Sequence, residues 1–129
     1  MMFKTVIHSD KAPEAIGPYS QAIQVGGWIF TAGQIPIDPR TGEIAGPDIQ
    51  IQTRQALDNL GAVLTAAGSD LKHAVKTTVF LKDLSDFQEM NKVYASYFPE
   101  NPPARSAVQA ARLPKDVRIE VECVAIAPE

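Results

Sequence analysis

Two segments in the C-terminal third of the chain alternate with the period of a β-strand, and this limits how the chain can fold. They cover 103–112 and 117–127, with Leu113-Pro114-Lys115-Asp116 as a turn between them. Because successive side chains of a strand point to opposite faces, Arg105 lies near the start of the first strand and the carboxylates Glu120 and Glu122 share one face of the second. The other face of the second strand is apolar: Val117, Ile119, Val121, Cys123 and Ala125.

Four further segments have the composition of strands. Residues Phe3–Ile7 alternate, and Val75–Leu81 is rich in the β-branched residues that suit a pleated surface. Two short apolar segments, 20–25 and 28–32, flank Gly26-Gly27. Paired glycines supply the positive φ angles that a two-residue turn needs, which predicts a β-hairpin. Asp38-Pro39-Arg40-Thr41-Gly42 predicts a further turn.

The first predicted helix covers about Ile49 to Ala67. Small and apolar residues recur there at helical spacing, and Gly68 stands where a helix would stop. The spacing is carried by Thr53, Leu57, Leu60, Leu64 and Ala67. The remaining polar residues predict a solvated helix face made of Gln52, Arg54, Gln55, Asp58 and Asn59.

The second predicted helix follows the turn at Asp83. Ser85 and Gln88 have the spacing of a capping box, in which each side chain bonds a free backbone N–H of the first turn. Pro99 ends the helix. An apolar stripe on this helix predicts a core-facing side made of Phe87, Met90, Tyr94, Tyr97 and Phe98.

The element order, roughly βββαβαββ, predicts an α+β fold with two helices packed on one face of a mixed sheet. With 129 residues, 45% of them hydrophobic, the chain is expected to form a single domain over 1–129. Buried carboxylates need partners. Glu120 and Glu122 are therefore expected to face water, a cavity or another subunit.

Charge and cysteine content exclude several classes of protein. A net charge of −3 argues against a standing electrostatic attraction to nucleic acid or to an anionic membrane. No apolar run is long enough to span a bilayer and the N-terminus does not resemble a signal peptide, so a cytoplasmic location is expected. Cys123 is the only cysteine, so it cannot form an internal disulfide or belong to a cysteine-based metal cluster.

Other catalytic patterns are missing from the sequence. His8 and His73 lie far apart, without the spacing of a zinc site, and there is no phosphate-binding loop or nucleophile elbow. What remains is one cation, one or two carboxylates, a phenol and backbone groups. This set suits the addition of water to an activated carbon, with neither metal nor cofactor.

The residues themselves leave the roles of the candidate side chains open. Arg105 stands among small alanines and suits a carboxylate ligand, yet the residues alone favour a surface or ion-paired arginine. Tyr19 fits a packed phenol. Gly33 fits a strand end, and Glu120 fits an ion pair with an arginine across a subunit contact.

Three motifs in this order resemble those of the RidA/YjgF family of reactive imine deaminases. They are Ile16-Gly17-Pro18-Tyr19-Ser20-Gln21-Ala22, Thr31-Ala32-Gly33-Gln34-Ile35-Pro36, and the segment from Pro103 to Glu122. The similarity covers nearly the whole chain. It implies a chorismate-mutase-like fold that assembles as a homotrimer, with sites in clefts between subunits. It also implies hydrolysis of 2-iminobutanoate or 2-iminopropanoate to a 2-oxo acid and ammonia.

The resemblance also implies catalytic roles. Arg105 would bind the substrate carboxylate in two hydrogen bonds, Glu120 would hold or deprotonate the attacking water, and Tyr19 would orient or protonate the leaving nitrogen.

Further substrate contacts follow from the same resemblance. The backbone at Gly33 and Ala107 would complete the hydrogen bonds around the substrate, and Phe87 would wall it in. Some family members carry a cysteine at the position of Ala107, so no thiol is expected in this site. The segment 100–102 is short beside some relatives, which affects the rim of the cleft.

Three alternatives stay open. The first is a trimer that binds small carboxylates without turning them over. The second is an endoribonuclease or translation inhibitor, disfavoured by the acidic balance of charges. The third is a stress-activated holdase with exposed apolar patches.

Overall fold

The computed structural model describes residues 3–128, which form eight strands and two α-helices. Six strands form one sheet in the order β1-β2-β3-β8-β6-β7. Their bounds are β1 Lys4–Ile7, β2 Ala22–Val25, β3 Trp28–Thr31, β6 Ala74–Leu81, β7 Ala104–Gln109 and β8 Ile119–Ile126. The strands β4 Ile37–Asp38 and β5 Glu43–Ile44 form a separate small hairpin, and the helices are α1 Ile49–Ala66 and α2 Phe87–Tyr97.

The sheet is mixed, because β6 and β7 are parallel while the other neighbouring strands of this sheet are antiparallel. Helix α2 provides the crossover between these parallel strands, as parallel pairing requires. Strands β7 and β8 are consecutive along the chain, as the sequence predicts, and β6 lies between them in the sheet. The strand order, together with the register of pairing, decides on which face of the sheet Arg105 and Glu120 lie.

One face of the sheet packs against both helices and forms the core. Ile119, Val121 and Ala125 of β8 are fully buried on this face, together with Leu57 and Leu60 of α1. The predicted alternation of β8 and the α+β arrangement with two helices on one face are therefore confirmed.

The other face of the sheet carries large apolar side chains that remain exposed. Strand pairing places Phe30 and Trp28 on this face, with exposed fractions of 46% and 47%. Val6, Val108 and Ile126 are exposed there too. Exposed apolar patches of this kind mark interaction surfaces. Neither of the two helices covers this face, which we call the open face.

Two local predictions are confirmed by the backbone. Strands β2 and β3 pair with Val25 opposite Trp28, and Gly26 adopts φ 58° in the turn between them. Helix α1 ends in a Schellman motif, in which the N–H of Ser69 bonds the carbonyl of Leu64 and Gly68 adopts φ 79°.

The predicted capping box of the second helix is wrong. A 3₁₀ turn, Leu84–Asp86, precedes α2, and the Asp83 side chain accepts a hydrogen bond from the Ser85 N–H at 2.8 Å. Ser85 therefore belongs to the 3₁₀ turn, and Asp86 occupies the N-cap position of α2 without a capping hydrogen bond from its side chain.

The expectation of a wholly solvated polar face on α1 is also wrong. Asn59 is buried, and its amide donates to the carbonyls of Ile35 and Ile37 at 3.0 and 2.9 Å. Gln52 is buried and accepts a hydrogen bond from the Arg118 N–H at 2.7 Å. These amides satisfy loop backbone groups that α1 takes out of water. Neither helix found among residues 3–128 is apolar enough over a sufficient length to cross a bilayer.

Candidate functional site

Arg105 lies on the helix-covered side of the sheet. It pairs across the strands with Thr77, whose side chain is fully buried under α2. Residues directly opposite each other on paired strands share a face, so Arg105 points toward α2. Its Nη1 donates to Asn91 Oδ1 at 2.7 Å.

Two aromatic rings of α2 stack against the Arg105 guanidinium. Its Cζ lies 4.6 Å from the ring centroid of Tyr94 and 5.3 Å from that of Phe87. The Tyr94 hydroxyl is itself hydrogen-bonded to Thr77 Oγ1 at 2.7 Å, and burial raises the pKa of Tyr94, so the phenol stays neutral. The rings hold the guanidinium in one place without neutralising it.

Arg105 has no carboxylate from residues 3–128 within ion-pair distance. The possibility of an intrachain ion pair, left open by the sequence, therefore does not apply to this part of the chain. A cavity of about 360 Å³ opens beside the guanidinium. It is lined by Asn91, Tyr94, Ala95, Phe98, Pro102, Pro103 and Arg105. We call Arg105, Asn91, Phe87 and Tyr94 the arginine half-site.

Glu120 lies on the open face, opposite Phe80 of β6. It is half-buried, and its pKa is raised first by burial and then by the charge of Glu122. Its side chain occupies the space beside Gly33: a methyl group built on Gly33 would overlap Glu120 Oε2 and lie 2.7 Å from Cδ. Gly33 is therefore more than a strand end, because its lack of a side chain leaves room for Glu120.

Tyr19 and Gly33 line a second cavity, of about 260 Å³. The Tyr19 side chain is 54% exposed, so it is not the buried, packed phenol that remained possible from the sequence. The loop that carries Tyr19 is held in place by Gln21, whose buried amide group is hydrogen-bonded to the backbone of Ser9 and Pro13. We call Tyr19, Gly33 and Glu120 the glutamate half-site.

The two half-sites lie on opposite faces of the sheet of one chain. The pairing of Arg105 with buried Thr77 puts the first on the helix side, and the pairing of Glu120 with Phe80 puts the second on the open face. Ala107 is opposite Val79 on the helix side and is half-buried, and it lines neither cavity. A single copy therefore does not bring the predicted site residues together.

Sequence reasoning missed Asn91 and Thr77 as supports of Arg105. Phe87, Asn91 and Tyr94 recur at i, i+4 and i+7, so they share one side of α2. The sequence did contain a signal for Asn91, because it is a polar residue inside an otherwise apolar stripe. The pairing of Thr77 with Arg105 had no such signal, because strand register is set by tertiary structure.

A possible metal-binding group among residues 3–128 is His8, Asp10 and Glu14, all exposed. His8 Nε2 already lies 2.9 Å from Glu14 Oε1, and this contact raises the pKa of His8. The cluster is accounted for as an ion-paired surface group.

Cys123 is expected to be chemically inert in the folded protein. It is buried on the helix side, and burial raises the pKa of its thiol to about 12. At pH 8 the thiolate fraction then falls from about a quarter, at the ordinary pKa, to about 10⁻⁴. Iodoacetamide labelling followed by mass spectrometry should be at least about 100-fold slower in buffer than in urea. Equal rates would show that the strand opens readily.

Comparison with known proteins agrees with this architecture. The family described as Endoribonuclease L-PSP matches residues 9–127. A RutC family protein of Pyrococcus horikoshii is 59% identical over 122 residues, covering 95% of this chain and 97% of the relative.

Two solved structures from Escherichia coli are also similar. The YjgF gene product has 50% identity and a TM-score of 0.91, with 96% of this chain and 99% of that chain covered. TdcF, crystallised with bound serine, has 46% identity and a TM-score of 0.92 over the same shares. The motif resemblance is confirmed at the level of the family: the chain belongs to the Endoribonuclease L-PSP family, that of the YjgF and RutC proteins.

Proposed function

We propose that this protein hydrolyses short 2-imino acids, such as 2-iminobutanoate and 2-iminopropanoate, to 2-oxo acids and ammonia. The observation that carries the proposal is the state of Arg105: a guanidinium held by an amide and two rings, unpaired with any carboxylate of residues 3–128, beside a cavity. A planar cation prepared in this way matches a carboxylate in two parallel hydrogen bonds.

In the proposed reaction Arg105 binds the substrate carboxylate and so places C2 of the imine in the cleft. Glu120 accepts a proton from water while the water oxygen attacks C2, and the imine nitrogen gains a proton. Tyr19 orients the nitrogen for this transfer. The hydroxyl proton of the tetrahedral intermediate then passes to the amine nitrogen, and the C–N bond breaks to release ammonia and leave the C=O of the 2-oxo acid. One water is consumed for each ammonia released, and the backbone at Gly33 and Ala107 completes the substrate contacts.

A homotrimer with clefts between copies is part of the proposal. The half-sites lie on opposite faces of one chain, so a complete site needs Arg105 from one copy and Glu120 from another. The exposed apolar residues of the open face, Phe30 and Trp28 among them, support burial of this face in an assembly. Light scattering should give three times the chain mass of 14.0 kDa.

A related structure supports the choice of substrate. TdcF of Escherichia coli was crystallised with bound serine, a small amino acid with a free carboxylate. A 2-imino acid offers the same carboxylate, with nitrogen on the adjacent carbon.

The direct test uses threonine dehydratase to supply 2-iminobutanoate and semicarbazide to trap the imine that survives. The protein should lower the amount trapped in proportion to its concentration. Equal trapping with and without protein would exclude the enzyme. Retained binding of 2-oxobutanoate in that case would favour a non-catalytic carboxylate-binding trimer.

An RNA-cleaving function is the second candidate, since the family is described as Endoribonuclease L-PSP. The net charge of −3 does not supply the basic surface that binds phosphate backbones. Incubation with single-stranded RNA should therefore leave it intact while imine hydrolysis proceeds. Cleavage that Arg105→Ala abolishes would favour the nuclease instead.

The pH dependence of the reaction should report the pair Glu120 and Glu122. A general base acts as the carboxylate, so activity rises as pH increases through the pKa of Glu120, which is raised above its ordinary value. Glu122→Gln removes one of the two causes of that shift. The acid limb of kcat/KM should therefore move to lower pH. Glu43→Gln, in the small hairpin, is the control, and identical profiles for wild type and Glu122→Gln would contradict the assignment of Glu120.

A further inference from the structure

The turn that leads into β8 has an unusual backbone. Lys115 adopts φ 56° and ψ 21°, and Asp116 adopts φ 58°. Two consecutive non-glycine residues in the left-handed region are uncommon, because each Cβ crowds the neighbouring carbonyl. Such backbone outliers concentrate at ligand sites. A ligand-binding side chain is therefore expected at this turn.

Contacts on both sides keep this turn in place. The Asp116 N–H bonds the Leu113 carbonyl at 3.1 Å, and the Val117 N–H bonds the Pro114 carbonyl at 3.2 Å. The Asp116 carboxylate pairs with Lys82 at 3.0 Å. The Asp116 carboxylate is thus held by Lys82, the residue directly after β6.

Lys115 lines the 260 Å³ cavity together with Tyr19 and Gly33. Its ammonium has no carboxylate from residues 3–128 within ion-pair distance. Glu14 lines the same cavity, but its carboxylate is already bonded to His8 at 2.9 and 3.0 Å. The cavity lined by Tyr19 and Gly33 of the glutamate half-site therefore also has a cation at its wall that is available to an anion.

We propose that Lys115 binds a second anionic group of the substrate, so that the site prefers 2-imino acids with a carboxylate at the end of the side chain. The inference rests on the proposed function, in which Arg105 of a neighbouring copy binds the carboxylate next to C2. Lys115 then lies on the side of the cleft that Tyr19 and Gly33 line, and its long flexible stem lets the ammonium reach the far end of a four- or five-carbon acid. The chemistry at C2 is unchanged.

The test compares two product-like ligands that share a five-carbon chain and differ at its end. Calorimetry measures the binding of 2-oxoglutarate and 2-oxopentanoate to wild type, Lys115→Met and Lys115→Arg. Wild type should bind 2-oxoglutarate more tightly. Lys115→Met should lose about tenfold in affinity for 2-oxoglutarate and stay within about twofold for 2-oxopentanoate. Lys115→Arg should keep the preference.

Lys72→Met, which removes an exposed lysine outside this cavity, should behave as wild type. An equal effect of Lys115→Met on both ligands, or no effect on either, would overturn the inference. Hydrolysis of 2-iminobutanoate, which lacks the second carboxylate, should proceed at the wild-type rate in the control Lys72→Met. That assay reports separately on the proposed function: its failure in wild type overturns the deaminase, whereas loss of the 2-oxoglutarate preference alone overturns the role of Lys115.

Discussion

Replacing Arg105 with alanine should lower kcat/KM for 2-iminobutanoate by about 10²- to 10⁴-fold, because two charge-assisted hydrogen bonds to the substrate carboxylate are lost. Arg105→Lys should recover only part of this activity. A lysine keeps the charge but lacks the planar fork that bonds Asn91 and the substrate together. The semicarbazide assay measures both variants.

The matched control for this variant is Arg40→Ala. Arg40 is an exposed arginine in the turn of the small hairpin, and its partner Asp38 lies two residues away. The Arg40→Ala variant should retain wild-type activity. Thermal unfolding of each variant separates a loss of chemistry from a loss of fold. A folded Arg105→Ala protein with activity within about threefold of wild type would remove the basis of the carboxylate-binding proposal.

Gly33→Ala should lower activity by about 10²-fold, the range expected when a general base leaves its position. The new methyl group would take the space that the Glu120 side chain occupies. The φ of Gly33 lies outside the left-handed region, so alanine introduces no backbone strain. Because a flexible side chain can move away, the free energy of unfolding should change by less than about 1 kcal/mol.

Gly27→Ala provides a matched glycine control. A methyl group on Gly27 meets no atom within 4 Å, so activity should be unchanged. If Gly33→Ala were fully active, the position of Glu120 over Gly33 would be irrelevant to catalysis. If it were inactive and unfolded, Gly33 would serve the fold instead.

Local signals in the sequence predicted the parts of the fold that depend on neighbouring residues. The hairpin at Gly26-Gly27 and the helix end at Gly68 are examples, because positive φ angles favour glycine at those turns. The burial of the Asn59 side chain could not be predicted from local signals. Its partners are the carbonyls of Ile35 and Ile37, which α1 reaches only in the tertiary structure.

In the candidate site, too, local sequence signals predicted some features and only the tertiary structure revealed the others. Period-two alternation placed Glu120 and Glu122 on one face of β8, which the structure confirms. Alternation within a strand does not tell how its faces relate to those of another strand. The insertion of β6 between β7 and β8, and the pairing of Thr77 with Arg105, send Arg105 to the side opposite Glu120. The motif resemblance identified Arg105 and Glu120 as site residues. Only the strand register showed that they lie on opposite faces of the sheet within one chain.

The proposal that two copies share each site has a direct test in mixed assemblies. Arg105→Ala and Glu120→Gln are each expected to be nearly inactive alone. If the two proteins are unfolded, mixed in equal amounts and refolded together, about one cleft in four should combine an intact Arg105 with an intact Glu120 from a neighbouring copy. The mixture should therefore regain about a quarter of the wild-type rate. Activity no greater than the sum of the separate variants would contradict a site shared between two copies.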